Sequence, residues 1–329
     1  MPFPLAQVLA QISGTRVLVV GDVMADEYVV GDASRISAEA PVPVLRFTAE
    51  RTALGGAGNT AANVASLGGE ATLIGLVGDD AAGAAFAGRC AASGIAFSPV
   101  RDGRLTTRKV RVISQQQQLL RIDYEDTAPI DDAGARQVLD AFGRHVDACA
   151  IVVVSDYAKG MLTQELSHAV IARAHAAGKQ VVVDPRPQHA AFYSACDFIT
   201  PNWKESLGLV KEWVGERDAE PTPEHVRRIG AAVSRQFGSA VLLTLGARGI
   251  AFFPREGGEP LIVAAEAREV FDVSGAGDTV AAAFALAHAA GCDHATAVAL
   301  ANRAAAVVVG KRGTATATPA ELLAAAHLA

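Results

Sequence analysis

Asp278 stands directly after a stretch built to hold an anion. In Asp272-Val273-Ser274-Gly275-Ala276-Gly277-Asp278-Thr279, two glycines flank an alanine. With so little side-chain bulk, successive backbone N–H groups can converge on one point. The apolar run Val280 to Ala290 reads as a helix whose dipole adds positive potential there. Asp278 falls in the first helical turn, so its carboxylate sits beside whatever the amides bind, as a base for phosphoryl transfer must. The octapeptide alone equally fits a tight turn with an N-terminal helix acid.

Other stretches point the same way. In Thr200-Pro201-Asn202-Trp203-Lys204-Glu205, Asn202 and Glu205 are three apart and share a face if a helix begins there. An amide and a carboxylate so placed suit Mg²⁺ held through waters, although a plain helix start also fits. Asp22 and Asp26 follow the apolar run Val17 to Val20, at the strand end where parallel sheets bind ligands; they suit sugar hydroxyls or loop amides. Gly55-Gly56-Ala57-Gly58-Asn59 opens a small-residue helix and lets a ligand approach the backbone. Its GxGxxA match (Gly56, Gly58, Ala61) does not follow the first core strand, which argues against a dinucleotide site, and no GxxxxGK[ST] occurs. Thr244, Gly246 and Gly249 form another glycine-relaxed strand end. Arg101, Arg104, Arg108, Lys109, Arg111 and Arg121 make one basic stretch against the single acid Asp102; strand alternation puts Lys109 and Arg111 on one face. Asp156 and Lys159, in SDYAKG, end another core strand and can join them.

The elements that must position these residues alternate. Strands are predicted at Arg16 to Val20, Ala71 to Val77, Ala150 to Val154, Gln180 to Val183 and near Phe198, with a hairpin-like pair at Ala240 to Leu245 and Gly249 to Pro254. Helices are predicted at Asn59 to Leu67, Ala81 to Ala92, Asp131 to His145 and Gln164 to Ala177, and from Lys204, Pro223, Ala276, His294 and Pro319. Helices on both faces of a mostly parallel sheet follow. Tyr28 to Val30, Val42 to Phe47, Thr106 to Ile113 and Gln117 to Asp123 fit no βα unit. They predict a small antiparallel sheet projecting from a single domain (1–329), with lid strands over about 26–50 and 104–125.

Composition narrows the function. A net charge of −6 argues against general nucleic-acid binding. Cys90, Cys149, Cys196 and Cys292 form no CxxC pair, so reduced thiols are expected. No apolar run spans a bilayer and no signal peptide is visible, so a cytoplasmic protein without membrane contact is expected.

GGAGNTAANVASLG and DVSGAGDT resemble the two signatures of the PfkB (ribokinase-like) carbohydrate kinases, and TPNWKE resembles their NxxE motif. The resemblance spans nearly the whole chain, with the motifs in the family's order. It implies a three-layer α/β/α fold with a small antiparallel β lid and ATP with Mg²⁺, and leaves open a monovalent cation. It implies Asp278 as base and Gly275, Ala276 and Gly277 as anion hole. Asn202 and Glu205 would organise Mg²⁺; Asn202, Thr244, Gly246, Asp272 and Asn302 would contact ATP; Asp26, Gly56 and Asn59 would hold the sugar. Where ribokinases carry Asn two positions before the sugar-binding Asp, this chain has Met24, which argues against plain ribose. GDVMADEYVVGDASRISAEAPVPVL, TTRKVRVIS, QQLLRIDYE, VVVSDYAKGML and ANRAAAVVVGKRGTAT resemble heptose-phosphate kinases of ADP-heptose synthesis, of the type without a fused nucleotidyltransferase domain. That implies transfer to C1 of D-glycero-β-D-manno-heptose 7-phosphate. A fructokinase-like enzyme and a sugar-binding regulator without catalysis are the alternatives; intact Asp278, Asn202 and Glu205 argue against the regulator. A homodimer through the lid is expected, because open apolar sheet edges are usually covered.

Overall fold

The computed structural model describes residues 4–115, 117–210, 220–266 and 270–326. In chain order these form α1 (Leu5–Ile12), β1 (Arg16–Gly21), β2 (Val23–Ile36), β3 (Pro43–Gly56), α2 (Ala57–Ser66), β4 (Glu70–Leu76), α3 (Ala81–Ala92), β5 (Ala96–Val100), β6 (Arg108–Ser114), β7 (Gln117–Tyr124) and α4 (Asp132–His145). Then come β8 (Ile151–Ser155), α5 (Gln164–Ala176), β9 (Gln180–Asp184), β10 (Phe198–Ile199), α6 (Trp203–Leu209), α7 (Pro223–Phe237), β11 (Ala240–Thr244), β12 (Ile250–Phe253), β13 (Leu261–Val263), α8 (Ala276–Ala289), α9 (His294–Val309) and α10 (Pro319–Ala326).

The large sheet has nine strands in the order β13-β12-β11-β10-β9-β8-β1-β4-β5. It is parallel from β11 to β5, and β12 and β13 add an antiparallel edge. Strand alternation feeds two cores. Val17, Val19, Ile151, Val153 and Val182 pack against Val280, Phe284 and Leu300 of α8 and α9. Leu18, Val20, Val152, Val154 and Val183 pack on the other face against Phe142, Val170, Ile229 and Val233 of α4, α5 and α7. Each fully buried aliphatic side chain contributes about 1.5–3 kcal/mol, which explains continuous apolar runs in strands covered on both faces. Cys90, Cys149 and Cys196 are buried, Cys292 is half-buried, and all four are free thiols.

The second sheet has the order β3-β2-β6-β7. Its outer pairs are antiparallel, and the two hairpins meet through a parallel β2–β6 pairing that puts Asp26 opposite Lys109 and Tyr28 opposite Arg111. Strand β2 is buried from Val23 to Tyr28 and exposed by Arg35 and Ile36, so it leaves the core and runs out into the lid. Every described residue of β7 is exposed. Elements α1, β5 and β13 go beyond those read from the sequence. Among the described residues no helix is long and apolar enough to cross a membrane.

Candidate active site

Gly275 caps α8 in the left-handed conformation (φ 80°), where a Cβ would stand 2.5 Å from Asn59 Nδ2. A Cβ on Gly277 would meet nothing within 4 Å, so packing does not require this glycine and the space above the helix start stays open. The Ala276 amide bonds back to Val273 O (3.2 Å). At the helix start, the amides of Gly275, Gly277 and Asp278 donate to no acceptor among the described residues. These three are thus left free to meet an anion, with the helix dipole behind them, whereas Ala276's is used inside the turn.

The Asp278 carboxylate is buried. Its Oδ2 accepts from Asn59 Nδ2 (2.8 Å), and its Oδ1 accepts from Thr60 Oγ1 (3.1 Å) and the Tyr157 hydroxyl (2.8 Å). Burial pushes its pKa up to about 6, while the bonds from Asn59, Tyr157 and Thr60 hold it from going further. A carboxylate poised near neutrality and fixed by three donors suits proton abstraction.

Four expected ligand contacts are used inside the fold. Asn59, expected at the sugar, spends Nδ2 on Asp278, and its Oδ1 accepts from Asn63 Nδ2 (3.3 Å). Asp22 accepts from the amides of Tyr157 (2.9 Å), Lys159 (3.0 Å) and Met161 (3.1 Å), so it shapes the loop after β8. Asp156 accepts from Ala158 N (2.7 Å), His189 Nδ1 (2.8 Å) and the Tyr193 hydroxyl (2.7 Å). Between these two carboxylates Ala158 is held at φ 52°, a left-handed strain that aims Tyr157 and Lys159. Asp272 accepts from the amides of Ser274 and Gly313 (2.9 Å each), tying the anion loop to the loop after α9. Burial would raise the Asp272 pKa, but these amide bonds win and hold it below the ordinary carboxylate value.

Asp26 accepts from Arg111 Nη1 (2.6 Å) and Thr314 Oγ1 (2.9 Å), joining the lid to the loop after α9. Gly56 requires its type: φ is 59°, and a Cβ would meet Asp22 O at 2.3 Å. Met24 is buried beneath this turn, its Cγ and Cε under 3 Å from where Gly55 and Gly56 would carry a Cβ. It fills the turn from below with apolar volume.

In the basic stretch, five of six cations have a carboxylate partner: Arg101 with Asp79, Arg104 with Asp102, Arg108 with Glu27, Arg111 with Asp26 and Arg121 with Asp123. Lys109 has none among the described residues. Its ammonium lies 5.8 Å from the Tyr157 ring centroid, and burial followed by repulsion from Lys159 lowers its pKa. Lys159 itself pairs with Glu125 (2.6 Å).

Asn202 and Glu205 form a capping box at the start of α6: Asn202 Oδ1 accepts from Glu205 N (2.9 Å) and Glu205 Oε2 accepts from Asn202 N (2.9 Å). The other Glu205 oxygen pairs with Arg186. Asp184, buried at the end of β9, has its pKa raised well above the usual range by burial and then by Glu205. Asn202 bridges to Thr244, and Gly246 beyond it is left-handed (φ 59°) with open space where a side chain would go. Asn302 donates Nδ2 to Ala264 O (2.8 Å).

The motifs did not reveal Thr60, Tyr157, Asp184 or Arg186. Asp184 ends β9, and Tyr157 and Arg186 lie two residues beyond β8 and β9; that position was their signal, since ligands of parallel sheets gather there.

A parallel sheet with helices on both faces, a β lid, and a glycine-opened helix start beside a buried carboxylate are the parts of an ATP-dependent sugar kinase of the ribokinase-like fold. The chain belongs to the pfkB family of carbohydrate kinases, whose family model matches residues 14–321. It is 46% identical over 330 residues to the bifunctional protein HldE of Caulobacter vibrioides, covering 99% of this chain and 66% of that protein. Against HldE of Gluconacetobacter diazotrophicus it is 46% identical over 314 residues, covering 95% of this chain and 64% of that protein. The chain thus spans just under two thirds of the length of these relatives. In fold it is similar to phosphofructokinase-2 from Escherichia coli in complex with substrates and products (TM-score 0.78, 20% identity, 96% of this chain and 99% of that one). It is also similar to Arabidopsis thaliana ribokinase complexed with ribose and ATP (TM-score 0.72, 22% identity, 95% and 99%).

Proposed function

We propose that this kinase acts in the cytoplasm on a sugar that already carries a phosphate, transferring the γ-phosphoryl group of ATP to C1 of D-glycero-β-D-manno-heptose 7-phosphate on the way to ADP-heptose. The observation that carries this reading is Lys109, a covered ammonium on the lid without a carboxylate partner, next to a second lysine on the domain. Glu125 compensates Lys159, but among the described residues no carboxylate pairs with Lys109, so a phosphate dianion beside Lys109 supplies the negative charge it lacks. Asp278 takes the proton of the attacking hydroxyl, and the amides of Gly275, Gly277 and Asp278 receive the phosphoryl oxygens. Asp26 and the backbone at Gly56 face the sugar; Asn202, Thr244 and Gly246 face the nucleotide.

The donor set fits Mg²⁺. Asp184 and Glu205 are close enough for one to raise the other's pKa, and both present hard oxygen ligands. Among the described residues no cluster of three or more metal-ligating side chains exists. This accords with an ion held through water and nucleotide phosphates, where it would neutralise charge on the transferring group. A homodimer is part of the same reading: Ile36, Val42, Phe47, Leu120 and Ile122 are exposed apolar residues on or beside the lid strands, a surface suited to a second copy.

The test is ADP release from Mg-ATP with a panel of sugars and sugar phosphates. Heptose 7-phosphate should exceed the free heptose in kcat/KM by about 10²-fold or more, the effect of two charge-assisted contacts. Equal values would overturn the assignment in favour of a fructokinase-like enzyme.

A further inference from the structure

Arg186 belongs to none of the sequence motifs, yet it stands between the two acids that the motifs contribute. It lies two residues beyond β9, with its side chain 26% exposed, and its Nη1 pairs with Glu205 at the start of α6. Its guanidinium carbon lies 4.3 Å from the Tyr157 ring centroid, and the Tyr157 hydroxyl donates to Asp278 at the start of α8 (2.8 Å). An ion pair and a stacked ring therefore fix the plane of this cation.

Its hydrogen bonding is incomplete in an informative way. Arg108 grips Glu27 with Nε and Nη2, both at 2.8 Å, and Arg104 grips Asp102 in the same two-armed manner. Those are cations that hold structure together. Arg186 uses Nη1 alone, and its Nε and Nη2 have no acceptor among the described residues. The edge left over has the spacing that matches two oxygens of a phosphoryl group.

We propose that Arg186 is a catalytic residue of the transfer, its free Nε and Nη2 donors binding the phosphoryl group as it passes from the nucleotide to the sugar. The bond from the γ-phosphorus to the leaving ADP oxygen breaks as the bond to the sugar oxygen forms, and the hydroxyl proton goes to Asp278. Arg186 exchanges no proton; it spreads the charge on the moving group. The role rests on ATP-dependent phosphoryl transfer alone and holds whichever sugar is the acceptor.

The test compares wild type with Arg186→Met and Arg186→Lys, measuring by calorimetry the binding of ADP and of β,γ-methylene-ATP, with and without Mg²⁺, alongside kcat. Arg186→Met should weaken the triphosphate analogue by about tenfold or more and leave ADP within about twofold, because only the third phosphate meets the guanidinium. Its kcat should fall by about 10²–10³-fold, the usual loss for one such donor. Arg186→Lys should regain part of the analogue binding and less of the rate, since an ammonium cannot fork. An equal loss for both nucleotides, or a kcat within about threefold of wild type, would overturn the proposal and leave Arg186 as a partner of Glu205. Wild type binding neither nucleotide would instead overturn nucleotide use, and the proposal with it.

Discussion

The hydroxyl of Tyr157 donates to Oδ1 of Asp278 at 2.8 Å across a separation of 121 residues in the chain. The bond joins the loop after β8, which also carries Lys159, to the first turn of α8. It favours the ionised carboxylate, so it works against the burial that raises Asp278 to a pKa of about 6. The loop of Lys159, proposed to meet the sugar phosphate, is thereby linked to the proposed base.

That link sets a pH dependence. A base must be ionised, and this carboxylate titrates above its ordinary value, so kcat should climb with pH through about 6 and fall roughly tenfold per unit below it. Tyr157→Phe removes a donor to the charged form and should move the inflexion upward by about one unit. Asp278→Asn should lower kcat by about 10²–10⁴-fold with sugar binding largely kept. An inflexion unmoved in Tyr157→Phe, or near-normal turnover in Asp278→Asn, would remove these residues from their roles.

Lys109 and Arg111 share a lid face but should behave differently. Lys109→Ala should raise KM for the phosphorylated sugar by about tenfold or more and leave the free sugar nearly unaffected, since the lysine has no carboxylate to neutralise. Arg111→Ala strips Asp26 of its 2.6 Å partner and should weaken both sugars alike. Steady-state KM values for the two substrates in each variant decide the point.

The lid predicts an oligomer. Phe47 is 60% exposed on β3 and Leu120 is 54% exposed on β7. Light scattering at micromolar concentration should show a dimer. Phe47→Asp or Leu120→Asp, which put a charge at a desolvated interface, should shift it toward monomer without unfolding the domain. A wild-type monomer would refute the lid-to-lid dimer.

Met24 makes a prediction about stability. Met24→Asn would bury an amide beneath Gly55 and Gly56 where apolar volume is needed, at a cost of about 2–4 kcal/mol in denaturant unfolding. It should confer no ribose kinase activity. A stable variant that phosphorylates ribose would show that this position alone sets the sugar.

How much was legible in the sequence depended on the range of the signal. Continuous apolar runs marked β1, β4, β8 and β9, because strands buried on both faces must be apolar throughout. Helix α1 has only eight residues, β5 contains Ser98 and Pro99, and β13 has three residues, each too weak a pattern to stand out. The lid hairpins showed their alternation. That β2 and β6 meet in parallel had no local mark, since pairing partners are chosen across space.

The same division runs through the site. By itself the sequence determined that Asp278 follows a glycine-lined helix start and that Asn202 and Glu205 open α6, because those are relations within one turn of chain. Only the tertiary structure decided which charges are spent. It gave Asp22 to three loop amides, Asn59 to Asp278 and Arg111 to Asp26, and it left Lys109 without a carboxylate and Arg186 with an open edge. A residue's type fixes what it can bind, but what it does bind depends on the groups the fold brings within about 3 Å, and these come from strands and loops far apart in the chain.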